Sequence, residues 1–474
     1  MGAKNVLLLC SDEHARSAMG CSGHPVVHTP TLDRLAANGT CFTRAYTPSP
    51  ICIPARACLA TGTPVHENRC WSSAEPYQGQ SKSWMHRLRE SGHAVVSIGK
   101  LHYRSATDDN GFSDEILPMY LANEGKGWPQ GLIRNPLPGF DEVTEMARDA
   151  GPGDSTYTAY DRAITEAACD WLGRYGSTMA DKPWALFVSF VSPHYPLTAP
   201  HRFYDLYADR PMPETIGGPP DHPVLEEMVR FWDYDSHFDA ESRDRAKRGY
   251  FGLCSFLDDN IRQVLEALEA SGAARDTVVI YFSDHGEMLG NHGFWAKSVM
   301  YEDSAGIPMI VAGDGIAAGT NDTPVSLTDI AATVESFVGV DMGRAGKPWQ
   351  SRPLQHFIAM PEPERVVLSE YHDGGSPTGF YMIRQGTWKY VFYAGGAPCQ
   401  LFDMQRDPHE LTDLGRDPGY ADIRARLHAV LAAILDPEAV NAQAFDDQAA
   451  LVERYGGREA VMGLPGFGHT PVGS

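Results

Sequence analysis

Five short apolar runs, Val6 to Cys10, Ala94 to Ile98, Trp184 to Val191, Thr277 to Phe282 and Met309 to Ala312, are separated by stretches long enough to hold helices. Unbroken apolar runs of this length belong to strands buried on both faces, and such strands are joined through crossover helices. The pattern predicts an α/β fold: a large, mainly parallel sheet flanked by helices. One crossover is legible in detail. From Ser242 to Ala270, Leu253, Leu257, Ile261, Val264 and Leu268 recur at spacings of four and three, with Gly272 as a stop signal. This amphipathic helix feeds the strand that ends at Asp284.

After about Pro363 the texture changes to strand-like runs at Val366 to Leu368, Phe380 to Ile383 and Lys389 to Tyr393, with turns at Gly374-Gly375 and Gly395-Gly396. A smaller C-terminal antiparallel sheet with a helix at Ala421 to Leu435 is expected. We therefore divide the chain into a catalytic unit (1–362), an α+β subdomain (363–435) and a tail (436–474). With 474 residues, 43% of them hydrophobic, cores of that extent are within reach. Pro129 to Asp154 and Pro211 to Pro223 are rich in Gly and Pro and read as surface loops, the kind of segment that walls a site.

A net charge of −22 gives no basic surface for following a phosphate backbone, which argues against nucleic acid as a partner. The first apolar run is too short for a secretion signal, and no run approaches the length of a membrane span. Nine cysteines, an odd number without zinc-like spacing, fit a reduced cytoplasm better than a disulfide scaffold.

Acidic residues directly after an apolar strand lie at its carboxyl end, the edge where open α/β sheets place ligands. Asp12-Glu13 and Asp284-His285 both occupy such positions. If the two strands are neighbours, three carboxylates and an imidazole converge, which requires a cation or shifted pKa values. Between them in sequence, Pro54 suits the first turn of a helix and puts Cys52 at its N-terminus, where free N–H groups favour an anion.

Cys52-x-Pro54-x-Arg56 followed by Leu59-x-Thr61-Gly62 resembles the signature of the sulfatase family, within the alkaline phosphatase superfamily. Further resemblances follow in order: His28-Thr29-Pro30-x-Leu32-Asp33, Gly99-Lys100-x-His102, Pro193-His194-x-Pro196, Ser283-Asp284-His285-Gly286-Glu287, Lys297-x-x-x-Tyr301-Glu302, and Leu401-Phe402-Asp403 with Asp407-Pro408-x-Glu410-Leu411. His285, where many sulfatases have Asn, is similar instead to the cytoplasmic choline-sulfatase and phosphonate monoester hydrolase branches. The resemblance implies hydrolysis of a sulfate ester to sulfate and an alcohol or phenol. A formylglycine-generating enzyme would convert Cys52 to formylglycine, whose hydrate attacks sulfur. Arg56 and Lys100 would orient that group, and His194 and Lys297 would contact the sulfate and assist the leaving oxygen. His102 would take the proton whose loss releases sulfate. Asp12, Glu13, residue 52, Asp284 and His285 would hold one divalent metal, calcium first, with manganese left open by the imidazole.

Two departures stand out: Glu13 replaces the usual second Asp, and Asp303-Ser304 follows Tyr301-Glu302 where many relatives carry Arg. A phosphonate monoester hydrolase or phosphodiesterase with the same nucleophile is the alternative, and a non-catalytic anion-binding relative a third. Trp71, Tyr77, Trp128 and Tyr195 are candidate pocket residues, with Tyr371 and His372 reaching in from the second unit. The tail carries a helical pattern from Asp446 to Tyr455 and an apolar end at Val461 to Phe467. It is expected either to fold back or, the reading favoured by resemblance, to reach a neighbouring subunit in a homo-oligomer.

Overall fold

The computed structural model describes residues 2–140, 144–175, 182–340 and 351–464, together with Thr470 and Val472. Strands β1 (Asn5–Asp12), β2 (Gly39–Phe42), β3 (Val95–Lys100), β4 (Asp114–Met119), β5 (Ala185–Pro193), β6 (Thr277–Ser283), β7 (Met309–Ala312) and β8 (Gly319–Asn321) form one sheet in the order β8-β2-β7-β6-β1-β5-β3-β4. β1 is central and runs parallel to β5 and β6, with Leu8 opposite Phe187 on one side and Ile280 on the other. β7 alone of the five apolar runs is reversed, antiparallel to β6. Between β6 and β7 the chain holds only short turns of helix, Asn291–Gly293 and Glu302–Ala305, so it returns beside β6 without a crossover.

Alternate residues of β1 serve opposite faces. Val6, Leu8 and Cys10 join the core beneath helices α1 (Cys52–Thr61) and α4 (Asp329–Val338), while Leu7 and Leu9 join the core beneath α2 (Thr156–Tyr175) and α3 (Ala240–Ala270). α3 starts ahead of the sequence reading because the Asp239 carboxylate accepts from Ser242 N at 2.7 Å and the Ser242 hydroxyl accepts from Asp239 N at 2.9 Å, a reciprocal cap. The segment read as a surface loop from Pro129 to Asp154 is partly structured. It holds a helical turn (Pro129–Leu132), a short helix (Thr144–Asp149) and a two-residue strand (Gly151–Pro152), with Leu132, Ile133 and Arg134 buried.

The second sheet, β9 (Val367–Tyr371), β10 (Phe380–Gln385), β11 (Trp388–Tyr393) and β12 (Gln400–Asp403), is an antiparallel meander covered by α5 (Ala421–Ile434) through Leu427 and Leu431. Lys389 of β11 fastens it to the first sheet. Its Nζ lies 2.6 Å from Glu302 Oε1 and 2.7 Å from Glu410 Oε1, and donates to Met300 O at 2.8 Å. Two acidic positions quoted from the sequence thus meet on one buried lysine.

The described part of the tail lies along its own chain rather than standing free as an arm. Helix α6 (Pro437–Arg454) starts well before the expected Asp446 because Asp436 caps it, accepting from Glu438 and Ala439 N. Its Ala444 packs with Cys58, Val65 and Trp71, and Val452 with Ala74, Leu132 and Ile133. Trp71 Nε1 donates to Asp447 at 2.8 Å, and Gln448 donates to His372 O at 2.7 Å. Val461 is buried in the same cluster, whereas residues 465–467 of the apolar end lie outside the described residues.

Candidate active site

The central position of β1 next to β6 brings Asp12-Glu13 and Asp284-His285 to the same sheet edge. Across from them stands the start of α1. Ile51 is extended, Cys52 is the first helical residue, and every residue of the helix is buried. Cys52 Sγ lies 3.0 Å from His285 Nε2 and 3.7 Å from Asp12 Oδ1. One ligand atom each from Asp12, Cys52, Asp284 and His285 lies within 4.8 Å of all the others, and all four residues are buried. Two carboxylates, an imidazole and a fourth donor suit one divalent cation.

Arg56, one turn further along α1, joins both carboxylates: Nη2 to Asp12 Oδ2 at 3.0 Å and Nε to Asp284 Oδ2 at 2.8 Å. Its Nη1 donates to Lys100 O and to Ser189 Oγ, so four of the five guanidinium N–H groups are bonded although the residue is only 1% exposed. Lys100 Nζ forms an ion pair with Asp12 Oδ2 at 2.6 Å. Burial opposes the charge on Asp12, but Lys100, with Arg56, holds its carboxyl well below the usual range. As a thiol, Cys52 is pushed up to about 12 by burial, with Asp12 adding to the effect.

Gly99 lets β3 deliver Lys100 and His102. Its φ is 102°, and a Cβ there would stand 2.2 Å from Ser189 O. His102 then turns left-handed at φ 54°. Both of its ring nitrogens are buried, with no hydrogen-bond partner among the described residues. Burial, followed by Lys100 and Arg56, depresses the imidazole far below its ordinary value, so it rests neutral.

Glu13 does not join the four-donor cluster. At φ 66° its backbone turns away, fixed by Tyr250 donating to Glu13 O at 2.8 Å, and the longer side chain runs to Lys297 instead. Lys297 Nζ donates to Glu13 Oε2 and to His194 Nε2, each at 2.7 Å. Because Nε2 accepts from an ammonium, the proton of neutral His194 sits on Nδ1, which donates to Tyr195 O at 2.7 Å. Asp12, Glu13 and His194 also present ligand atoms within 4.8 Å of one another, but the Lys297 ammonium already bonds two of the three. That favours the Cys52 cluster as the cation site. Sequence reasoning missed Asp161 of α2, whose two oxygens each accept a backbone N–H at 2.8 Å, from Val191 and Ser192, and so fix the strand end that carries His194.

A cavity of about 140 Å³ opens over Cys52, Lys100, His102, His194 and Lys297. Trp128, Phe140, Trp232, Tyr234, Trp295 and Tyr195 wall it, and Thr470 contributes from the tail. The rings pack on one another, Trp128 to Trp232 at 5.7 Å and Phe140 to Trp232 at 5.0 Å between centroids. Trp128 and Tyr195 are thus correctly anticipated. Trp71 and Tyr77 are buried elsewhere, Trp71 under α6 and Tyr77 in the main core. Tyr371 turns its hydroxyl to Gly374 O, and His372 packs on Trp71 at 5.0 Å, so neither lines the cavity.

Residues 4–340 match the family model described as Sulfatase, and residues 290–436 match that described as N-sulphoglucosamine sulphohydrolase, C-terminal. A choline-sulfatase of Rhizobium meliloti (strain 1021) is 32% identical, covering 94% of this chain and 90% of its own. Arylsulfatase K of Danio rerio is 29% identical over 92% and 84% of the two chains. Among solved structures, the phosphonate monoester hydrolase of Agrobacterium radiobacter superposes with a TM-score of 0.73 at 23% identity, covering 93% of this chain and 96% of that one.

Proposed function

The chain belongs to the sulfatase family and is a sulfuric ester hydrolase, and from that premise we propose that it cleaves the sulfate ester of a compact alcohol or phenol with a nucleophile made from Cys52 beside one divalent cation. The observation that carries this reading is the convergence of Asp12, Cys52, Asp284 and His285 at the buried start of α1. Oxidation of Cys52 to formylglycine by a maturation enzyme would supply an aldehyde hydrate, with a second hydroxyl that serine lacks. Asp12, Asp284, His285 and residue 52 would hold the cation, calcium by its taste for carboxylates or manganese by the imidazole, which would acidify the nucleophile and take up charge on sulfate.

The remaining roles fall to the chain's own side chains. Arg56 fixes the two carboxylates relative to residue 52, and Lys100 brings a second cation to Asp12. Lys297, an ammonium in contact with neutral His194, offers a proton to the departing oxygen as negative charge develops there. His102, with no hydrogen-bond partner among the described residues, would accept the proton whose removal restores the aldehyde and frees sulfate.

Beyond the reacting groups, the cavity lining among the described residues offers rings, two isoleucines and small side chains, and no carboxylate or guanidinium. Such a wall suits a compact aryl group or an alkylammonium, which aromatic faces attract, and it offers nothing to a polyanionic sugar. The choline-sulfatase relative supports the alkylammonium version. Steady-state rates on 4-nitrophenyl sulfate, choline sulfate, a sulfated uronate and 4-nitrophenyl phenylphosphonate test the reading. Higher kcat/KM on the two compact sulfates is expected. Preference for the phosphonate would move the assignment to phosphorus, and preference for the uronate would remove the compact-group reading.

A further inference from the structure

Lys297 sits on neither a helix nor a strand, yet it must hold its ammonium within hydrogen-bond reach of two partners. The residues on either side of it are both left-handed, Ala296 at φ 59° and Ser298 at φ 82°. Side chains with a Cβ avoid that region, and a backbone held there needs fixed partners. Glu287 is one: its Oε1 accepts from Leu289 N at 2.8 Å and from Ala296 N at 2.7 Å, and Leu289 is itself left-handed at φ 48°. A single carboxylate oxygen thus ties the two ends of the excursion that leaves β6 and arrives at Lys297. Met288 N donates to Ala296 O at 2.8 Å within the same closure, and Ser298 N donates to Pro50 O at 3.0 Å, just ahead of Cys52. Glu287 is 1% exposed, so loss of its oxygen would leave both N–H groups without the acceptor that now satisfies them.

We propose that Glu287 is a positioning residue that holds Lys297 on the leaving-group side of the site. The proposal rests on the leaving-group role given to Lys297 above. It requires only an acceptor oxygen at that point, so Glu287→Gln should behave nearly as the parent while Glu287→Ala should not.

The test compares kcat/KM on 4-nitrophenyl sulfate and phenyl sulfate, whose leaving phenols differ in basicity. In Lys297→Ala the poorer leaving group should suffer the larger loss. Glu287→Ala should show the same skew, about tenfold beyond its loss on the nitrophenyl ester, and Glu287→Gln should restore the parent ratio. Should Glu287→Ala fail to fold, Glu287→Leu fills the volume without an acceptor and takes its place. A crystal structure of the acceptor-less variant should place Lys297 Nζ out of reach of His194 Nε2. Equal losses on the two esters, or Lys297 unmoved, overturn the proposal. If Lys297→Ala itself shows no skew, the leaving-group role fails first.

Discussion

Arg56 Nε lies 2.8 Å from Asp284 Oδ2, and the same guanidinium reaches Asp12 Oδ2, so one side chain of α1 joins the ends of two neighbouring strands. Removing it would leave two buried carboxylates facing each other. Arg56→Ala should therefore lose about 3–5 kcal/mol of stability, as when one member of a buried pair is deleted. Denaturant unfolding checks this. Added divalent cation should offset part of the loss if the carboxylates are its ligands, and an unchanged midpoint would contradict the pairing.

Cys52→Ala should keep the fold, since the residue is small and heads a helix whose other contacts remain. Turnover should fall by roughly 10⁴-fold or more, as for other deleted nucleophiles. Far-ultraviolet circular dichroism and initial rates separate the two effects. In the parent, the mass of a peptide spanning Cys52 should report the aldehyde when a maturation enzyme is co-expressed.

Asp284→Ala should strip the bound metal, and Glu13→Gln should retain it, because only Asp284 belongs to the four-donor cluster. Metal content per chain by plasma emission reads this directly. Chelation should lower thermal stability as well as rate, since a site saturated a hundredfold above Kd adds about 2.7 kcal/mol. Equal metal in parent and Asp284→Ala would remove Asp284 from the site.

His14 gives the fold an acid limit. Burial lowers its pKa to about 4, and its Nε2 donates to Ala18 O at 2.8 Å as a neutral ring. Below the ordinary value of 6.5 the unfolded chain takes a proton that the folded chain refuses until about 4. Stability is therefore intact above that ordinary value and falls as pH drops through the window, by about 3 kcal/mol at about 1.4 kcal/mol per unit. His14→Gln should flatten that slope in urea titrations, whatever it does to the stability at neutral pH.

A chain ending at Leu464 lacks Thr470, whose carbonyl accepts from Tyr157 OH at 2.7 Å and which borders the cavity. KM for a compact sulfate ester should rise several-fold, with kcat changing less. A chain ending at Leu435 also loses α6, exposing Trp71 and Ile133, and should unfold at lower denaturant. Light scattering on both chains tests the subunit arm suggested by the sequence, since a lower mass on truncation would mean that the tail serves a neighbour too.

The strand ends were legible in the sequence because they are local: an apolar run followed at once by an acid is a pattern of adjacent residues. Cys52, Arg56, Lys100, His102, His194 and Lys297 were named through resemblance; the structure places all but Arg56 around one cavity, with Arg56 behind it donating to Lys100 O. Glu13 was not, because a left-handed backbone turn, invisible in composition, decides which way its carboxylate points. Nor was the aromatic wall. Phe140 and Trp295 come from irregular segments and Trp232 and Tyr234 from the end of one short helix and the start of the next, and nothing in their spacing distinguishes them from Trp71 or Tyr77, which are core. The partner of the tail was hidden for the same reason: its apolar residues need cover, and cover on its own chain lies more than 300 positions away, as Gln448 to Arg134 illustrates.

The burial of α1 also constrains when the proposed oxidation of Cys52 could take place. Cys52 is 6% exposed, and its helix is sealed by the sheet on one side and by Ala444 of the tail, which packs on Cys58, on the other. An enzyme that must grip the residues flanking Cys52 has no access once these surfaces have met. If Cys52 is oxidised as proposed, the reaction would have to precede this closure, and slower synthesis or delayed release of the last segment would lengthen the interval open to it.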